Sequence, residues 1–362
     1  MRPIVARIDT AALSHNLMVA RRRAGSARLL AVVKANGYGH GLARVAQALR
    51  AADGYAVLSL DEAATLRAQG LNHPIVLLEG FFHPDEIPEI ARRRLTPVIH
   101  REDQIDALAS ARCEHRIDCF LKLDTGMHRL GLGRQAWLAA LDRLKAIPHV
   151  GNITLMSHFA RADEPGVGVA DQLAIFNDAA QGLAQPVSLA NSAALLRHPE
   201  AVNVASDAAG NWARPGIMLY GASPFAGQTG AELGLRPAMH LESRLIAVQS
   251  VRQGEGIGYG HLYHAERDMR VGVVACGYAD GYPRHAVTGT PVMVAGRPSR
   301  TLGRVSMDMM HVDLTGLADA QIGSPVTLWG DGVPVETVAA AADTIAYELL
   351  TALAPRVRIE ET

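Results

Sequence analysis

Of the 35 basic residues in this 362-residue chain only three are lysine: Lys34, Lys122 and Lys145. Arginine has taken every other cationic position, so a retained amine points to chemistry that a guanidinium cannot do. A lysine amine can shed its proton and act as nucleophile or base, whereas arginine holds its proton. Lys145 sits in the helical stretch R-L-K-A-I and reads as a surface charge. Lys34 and Lys122 each close an apolar, strand-like run, L-L-A-V-V-K and F-L-K, and are the candidates for function.

Other reactive types recur at the ends of such runs. Asp124 follows Lys122, Ser157 and His158 follow I-T-L-M, Asn191 and Ser192 follow V-S-L-A, and Arg214 leads into the run Ile217–Tyr220. Each has a structural alternative: Ser192 as a helix cap, His158 as a satisfied core ring, Arg214 as a surface charge. Their joint placement carries the argument. An amine, a hydroxyl, an imidazole and a guanidinium converge in one mouth. A phosphate there would need hydroxyls and loop amides, because there is no G-x-x-x-x-G-K-[ST] loop. G-E-G-I-G-Y-G also fails the dinucleotide pattern, since Tyr259 replaces its last glycine. Tyr38, Ser192 and the backbone of Gly216 and Ile217 are the candidates for that anion. No metal is expected: Cys113, Cys119 and Cys276 are odd in number and form no C-x-x-C pair.

The elements that must position these groups alternate along the chain. Apolar runs at Leu29–Val33, Tyr55–Leu60, Ile75–Leu78, Pro97–Ile99, Ile117–Leu123, Ile153–Met156, Val187–Ala190 and Ile217–Tyr220 read as eight strands. Between the first two, Leu42, Val45, Ala46 and Leu49 recur at helical spacing. D-E-A-A-T-L-R-A-Q-G opens on acids and stops at glycine, as a capped helix does. Repeated strand and helix units of this length give a parallel sheet, and eight of them suit a closed (β/α)8 TIM-like barrel, whose strand C-termini share one pocket. Past about 232 the pattern changes to strand-like runs at Leu245–Val251, Val271–Ala275, Pro291–Val294, Met309–Leu314 and Pro325–Leu328, with a helical pattern over Val335–Leu353. The expected fold is therefore α/β: a barrel over 11–232 followed by a mainly antiparallel β domain over 233–362, with the opening strand in 1–10 able to pair with either domain and grouped with the second.

Composition excludes several classes. Thirty-five basic against thirty-six acidic residues leave a net charge of −1, which provides no general field for nucleic acid or anionic lipid. Arg21, Arg22 and Arg23 read as a solvated helix end. No run reaches the ~18 apolar residues of a membrane span, and the first residues lack a secretory signal, so a cytoplasmic location is expected.

The motifs A-V-V-K-A-N-G-Y-G-H-G (31–41), K-L-D-T-G-M-H-R-L-G (122–131), S-H-F-A (157–160), A-N-S-A-A (190–194) and R-P-G-I-M-L-Y-G (214–221) resemble those of alanine racemases, in that order. G-I-G-Y-G (256–260), G-Y-A-D-G-Y-P-R (277–284) and G-R-V-S-M-D (303–308) belong to the same pattern, so the resemblance covers essentially the whole chain. It implies a barrel followed by a β domain, a head-to-tail homodimer with shared active sites, and pyridoxal 5′-phosphate as cofactor. The substrate would be alanine, and D-alanine for peptidoglycan precursors a product. Lys34 would be the Schiff-base lysine and Tyr259, from the other subunit, the opposing base. Arg214 would bond the pyridine nitrogen with His158 supporting it. Tyr38, Ser192, Gly216, Ile217 and Tyr347 would hold the phosphate. Arg129 would contact the phenolic oxygen and the substrate carboxylate, and Met307 would hold that carboxylate through its amide. Tyr278 would line the entrance, and Lys122 would be carbamylated and orient Arg129. The one departure from the family pattern is the Ala/Gly/Asn-rich stretch 202–211.

The implied chemistry is coherent. Free alanine does not give up its α-proton measurably; the cofactor takes up the resulting charge, and inversion needs one base on each face. A lysine ordinarily titrates near ~10, and a cationic, desolvated site lowers it. Rival readings are a broad-specificity racemase or a pyridoxal-dependent decarboxylase on the same scaffold, and a non-catalytic cofactor carrier. The decarboxylase calls for a carboxylate where Arg214 stands, and a carrier has no use for Tyr259 or Met307.

Overall fold

The computed structural model describes residues 2–202 and 210–362, so most of the 202–211 stretch lies outside the described residues. The chain divides into two compact units, one comprising Leu17–Gly37 and Gly41–Leu219, the other Met1–Asn16, Tyr38–His40 and Tyr220–Thr362.

The chain opens with strand β1 (Val5–Ile8), which belongs to the second unit. The first unit is a closed barrel of parallel strands: β2 (Arg28–Val32), β3 (Gly54–Val57), β4 (Ile75–Leu77), β5 (Leu95–Ile99), β6 (Ile117–Lys122), β7 (Val150–Met156), β8 (Val187–Ser188) and β9 (Trp212–Ala213). Closure is made by Arg28 and Leu29 of β2 pairing with Trp212 and Ala213 of β9. Apolar residues occupy successive positions because both faces are covered: Leu29, Leu30 and Ala31 are all fully buried. Each such leucine contributes about 2 kcal/mol relative to an exposed one. The surrounding helices bury one stripe apiece. Leu42–Ala48 turns in Leu42, Val45 and Ala46, and Leu60–Ala68 turns in Ala63 and Leu66. The latter is capped by the Ser59 hydroxyl on the Glu62 amide, with Asp61 and Glu62 in its first turn and Arg67 in its last, the charge order its dipole favours. Arg21, Arg22 and Arg23 occupy the last turn of the helix Thr10–Ala24.

The eighth strand is a correction to the sequence reading. Ile217–Tyr220 is a 3-10 turn, and the barrel closes through the two-residue Trp212–Ala213 instead. An apolar run alone does not distinguish a strand from a buried helical turn, and Pro215, lacking an amide hydrogen, cannot continue a ladder on its donor side. Arg214 thus follows the last strand rather than leading into it.

The second unit is mainly antiparallel. Its strands are β10 (Met239–Val251), β11 (Gly256–Ile257), β12 (Tyr263–His264), β13 (Met269–Val274), β14 (Pro291–Val294), β15 (Arg297–Leu302), β16 (Met310–Asp313), β17 (Pro325–Trp329) and β18 (Arg358–Glu361). The order is β13-β16-β15-β14-β17-β10-β1-β18, with β13 also paired to β10. The thirteen-residue β10 serves two ladders, its first half on β1 and β17 and its second half on β13, with an irregularity between Leu245 and Ala247. Six strands therefore form a ring, to which β1 adds antiparallel to β10 and β18 parallel to β1. The C-terminal helical pattern resolves into two short helices, Val335–Ala341 and Ala346–Thr351. No described helix is long and apolar enough to cross a membrane.

Candidate active site

Lys34 stands two residues past the end of β2, and the chain after it winds the unusual way. Ala35, Asn36, Gly37 and Tyr38 have φ values of 53°, 55°, 62° and 49°. A left-handed backbone costs a non-glycine residue roughly 1–2 kcal/mol, so this turn is held by its surroundings. Gly37 donates to the Val33 carbonyl, Gly41 to the Asn36 carbonyl, and Leu42 to Asn36 Oδ1. Glycine is required at 37, where a Cβ would lie 2.8 Å from Val45 Cγ2. Lys34 titrates below the ordinary lysine value because burial disfavours its charge and Arg129 repels it, with Glu79 and Glu62 opposing.

Lys122 ends β6 with its side chain buried. Burial first, then Arg214 and Arg129, lower its amine to about 8. Asp124 has a turn-forming role: its Oδ1 accepts from the amides of Gly126, Met127 and His128, which shapes the loop carrying the exposed Arg129.

Arg214 is buried, with four partners. It donates to the Ser188 hydroxyl at 2.7 Å, the Ser157 carbonyl at 2.8 Å, the Leu189 carbonyl at 3.1 Å and His158 Nδ1 at 3.2 Å. Burial draws its guanidinium down to about 9, which leaves it charged at neutral pH. Burial, followed by the repulsion of Arg214, Lys122, Arg129 and Lys34, holds His158 far below the usual histidine range. The ring is therefore neutral, and its Nδ1 can accept from Arg214. The Ser157 hydroxyl is consumed structurally, donating to the Leu123 carbonyl and bonding Thr125.

Ser192 is not a cap. Asn191 caps the helix Ser192–Arg197, accepting from the Ala194 amide, and frees Ser192 to accept from the amides of Gly216 at 2.8 Å and Met218 at 3.4 Å. A buried hydroxyl thus stands against the Gly216-Ile217 loop. Lys34, Lys122, Arg129, His158, Ser192, Arg214, Gly216 and Ile217 all belong to the barrel unit. His158 and Lys122 each feel Lys34, Arg129 and Arg214, and Lys34 feels Arg129. The resulting excess of positive charge suits phosphate and carboxylate groups.

The remaining expected residues lie in the second unit. Tyr38 is buried and stacks on Tyr220 at 4.5 Å between ring centroids, with Tyr347 at 6.1 Å. Tyr259, Tyr278 and Met307 are 70%, 38% and 53% exposed. Tyr259 sits on the turn between β11 and β12, and Tyr278 is bound to the Ser306 carbonyl beside Met307. The sequence reading missed Glu79 and Glu62. Glu79 follows β4 in V-L-L-E-G, so reading strand ends there as elsewhere would have found it. Ser188 and the Leu189 carbonyl, which fix Arg214, carry no sequence signal.

The donor set fits pyridoxal phosphate. Among the described residues Arg214 Nε has no hydrogen-bonding partner while the rest of its guanidinium is fixed, which leaves one directed donor for a ring nitrogen. The nearby amine is biased toward its neutral, nucleophilic form, and the serine and loop amides offer an anion cradle.

Comparison with known proteins gives concordant matches. Residues 8–224 match the family model for the alanine racemase N-terminal domain, and 238–360 that for the C-terminal domain. The chain is 55% identical over 359 residues to an alanine racemase of Nitrosospira multiformis, covering 99% of both chains. It is 51% identical to a catabolic alanine racemase of Klebsiella aerogenes, again covering 99% of both. The structure of the biosynthetic alanine racemase from Pseudomonas aeruginosa is similar, with a TM-score of 0.94, 46% identity and complete coverage of both chains.

Proposed function

Since this chain belongs to the alanine racemase family, we propose that it interconverts L-alanine and D-alanine by a two-base mechanism, with Lys34 on one face of the substrate and Tyr259 of the other subunit on the opposite face. The observation that carries the residue assignment is the Lys34 amine, drawn toward its neutral form beside Lys122, Arg129, His158 and an Arg214 fixed through both terminal nitrogens with Nε left over. Pyridoxal 5′-phosphate held on Lys34 would supply a conjugated ring that accepts the electron pair left when the α-proton departs. Ser192, Tyr38, Tyr347 and the amides of Gly216 and Ile217 would hold its phosphate.

Each residue then has a physical task. The Lys34 amine would take or return the α-proton on its own face, and the Tyr259 phenol would do so on the other. Arg129 and the Met307 amide hold the carboxylate, and Tyr278 lines the entrance. Arg214 would give the ring nitrogen a hydrogen bond from Nε while retaining its proton, a milder pull on electrons than a protonated nitrogen exerts. That mildness limits side reactions and disfavours the decarboxylase reading. Lys122, neutral above about pH 8, can add carbon dioxide through its nitrogen lone pair and release one proton to solvent, giving a carboxylate that would steady Arg129. A homodimer in the cytoplasm completes the proposal.

Lys34→Ala and Tyr259→Phe test it together. Lys34→Ala is expected to lose the borohydride-trapped cofactor absorbance and all racemisation. Tyr259→Phe should keep the absorbance and lose at least about 10²-fold in kcat, the usual contribution of a positioned base. Racemisation by Tyr259→Phe at the parent rate would refute the two-base assignment.

A further inference from the structure

Within the second unit, the two ends of the chain meet on one carboxylate. Strands β1 and β18 run parallel in register, Val5 opposite Arg358 through Ile8 opposite Glu361. Arg2 and Arg356, just ahead of these strands, therefore approach side by side. Arg2 Nη2 lies 3.0 Å from Asp280 Oδ2, and Arg356 Nε lies 2.7 Å from Asp280 Oδ1. Asp280 is fully buried and also accepts from the Gly277 amide at 3.0 Å. Both arginines then reach onward to Asp308: Arg2 donates to its carbonyl at 2.9 Å, and Arg356 to its Oδ1 at 2.7 Å.

Two carboxylates and two guanidinium groups balance in charge, which makes a buried Asp280 tolerable. The clamp binds two segments already laced through their backbones, Tyr278 donating to the Ser306 carbonyl and Ala279 to the Met307 carbonyl, each at 3.0 Å. Their approach leaves no room for a side chain at 277, where a Cβ would lie 2.3 Å from the Ser306 oxygen. The outward-facing members of these segments are Tyr278 and Met307.

We propose that Asp280, Arg2 and Arg356, acting through Asp308, are positioning residues that fix the Met307 amide and Tyr278 for the substrate carboxylate, so that the chain ends set the affinity for alanine. This rests on the assignment of Met307 and Tyr278 to the active site. Arg356 reaches its two carboxylates through two nitrogens of one planar group, Nε and Nη2, a geometry that an ammonium does not copy, whereas Arg2 makes both its contacts through Nη2, which an ammonium replaces in part. Loosening the clamp moves the amide that binds the carboxylate and leaves the proton-transfer groups in place.

The test uses the cofactor-loaded enzyme with Arg2→Gln, Arg356→Lys and Asp308→Asn, all at partly exposed positions, and measures kcat, KM for both enantiomers, cofactor absorbance and melting temperature. The expected result is a KM raised about tenfold with kcat within about twofold of the parent and absorbance unchanged, and partial recovery in Arg2→Lys. KM within about twofold of the parent in all three variants would overturn the proposal, as would kcat and melting temperature falling with KM unmoved. The underlying assignment fails separately: Met307→Pro, which removes the amide hydrogen, would then leave KM unchanged.

Discussion

Lys122 carries the energetic cost of the site most visibly. Its amine ordinarily titrates at 10.5 and is lowered to about 8 by burial and by Arg214 and Arg129. Below pH 8 the amine is charged in both folded and unfolded chains, and the fold bears the full penalty, about 3 kcal/mol. Between pH 8 and 10.5 the unfolded chain still holds the proton that the folded chain has released, so stability rises with pH. Above 10.5 the penalty vanishes. Lys122→Met, similar in volume and uncharged, is therefore expected to stabilise the protein at pH 7 by up to about 3 kcal/mol, with the gain fading as pH climbs to 10.5 and activity reduced throughout. Urea unfolding at several pH values checks this. If carbon dioxide adds to the amine, bicarbonate buffer should shrink the difference between parent and variant. A gain independent of pH would mean that the lysine charge is not its source.

Among the elements, the left-handed turn after Lys34 is the most informative. Ala35 is exposed and has φ 53°, so its Cβ adds strain without packing. Ala35→Gly is expected to raise stability by about 1 kcal/mol, the opposite of its effect in an ordinary helix, where it costs about that much. A lowered denaturation midpoint would show that the turn is not strained at this residue. This turn was invisible in A-V-V-K-A-N-G-Y-G-H-G, because handedness at alanine and asparagine comes from tertiary contacts such as Leu42 on Asn36 Oδ1. The long strands were legible for the converse reason. A buried parallel strand must be apolar at successive positions, and C-F-L-K or L-L-A-V-V satisfies that locally. Trp212–Ala213 is too short to leave a pattern, and the apolar I-M-L-Y nearby drew the reading away from it. In the second unit β15, Arg297–Leu302, opens with R-P-S-R, and its polar face hid it. For the site, Lys34, Lys122, His158 and Ser192 were readable as residues at strand ends, while Arg214 was singled out but placed ahead of a strand instead of after one. The carbonyls that fix Arg214 were not, since every residue has one.

On the scale of the whole molecule, the proposed sharing of sites between subunits would let two different defects compensate. Lys34→Ala retains Tyr259, and Tyr259→Phe retains Lys34. Equal mixing with subunit exchange should place the two intact groups in one site of each hybrid dimer. Activity near about a quarter of the parent is expected from two nearly inactive parents, measured after reversible dissociation, and no recovery would exclude a site shared between subunits. The exposed apolar side chains of the second unit, Tyr259 at 70%, Leu262 at 59%, Met307 at 53% and Met309 at 42%, are of the kind that association covers. What the protein withholds from association is as telling. Because β10 turns back onto β13, the eight-stranded sheet has one loose hem among the described residues, β18, and that hem is stitched with charge. Arg358, Glu360 and Glu361 alternate with little grease, and Glu360 is tied to both Arg358 and Arg7. A second molecule sliding its backbone alongside would have to strip water from those groups. Such an edge works against copies of this chain zipping into fibres and leaves contact through side chains, the mode that the proposed lending of a phenol would require.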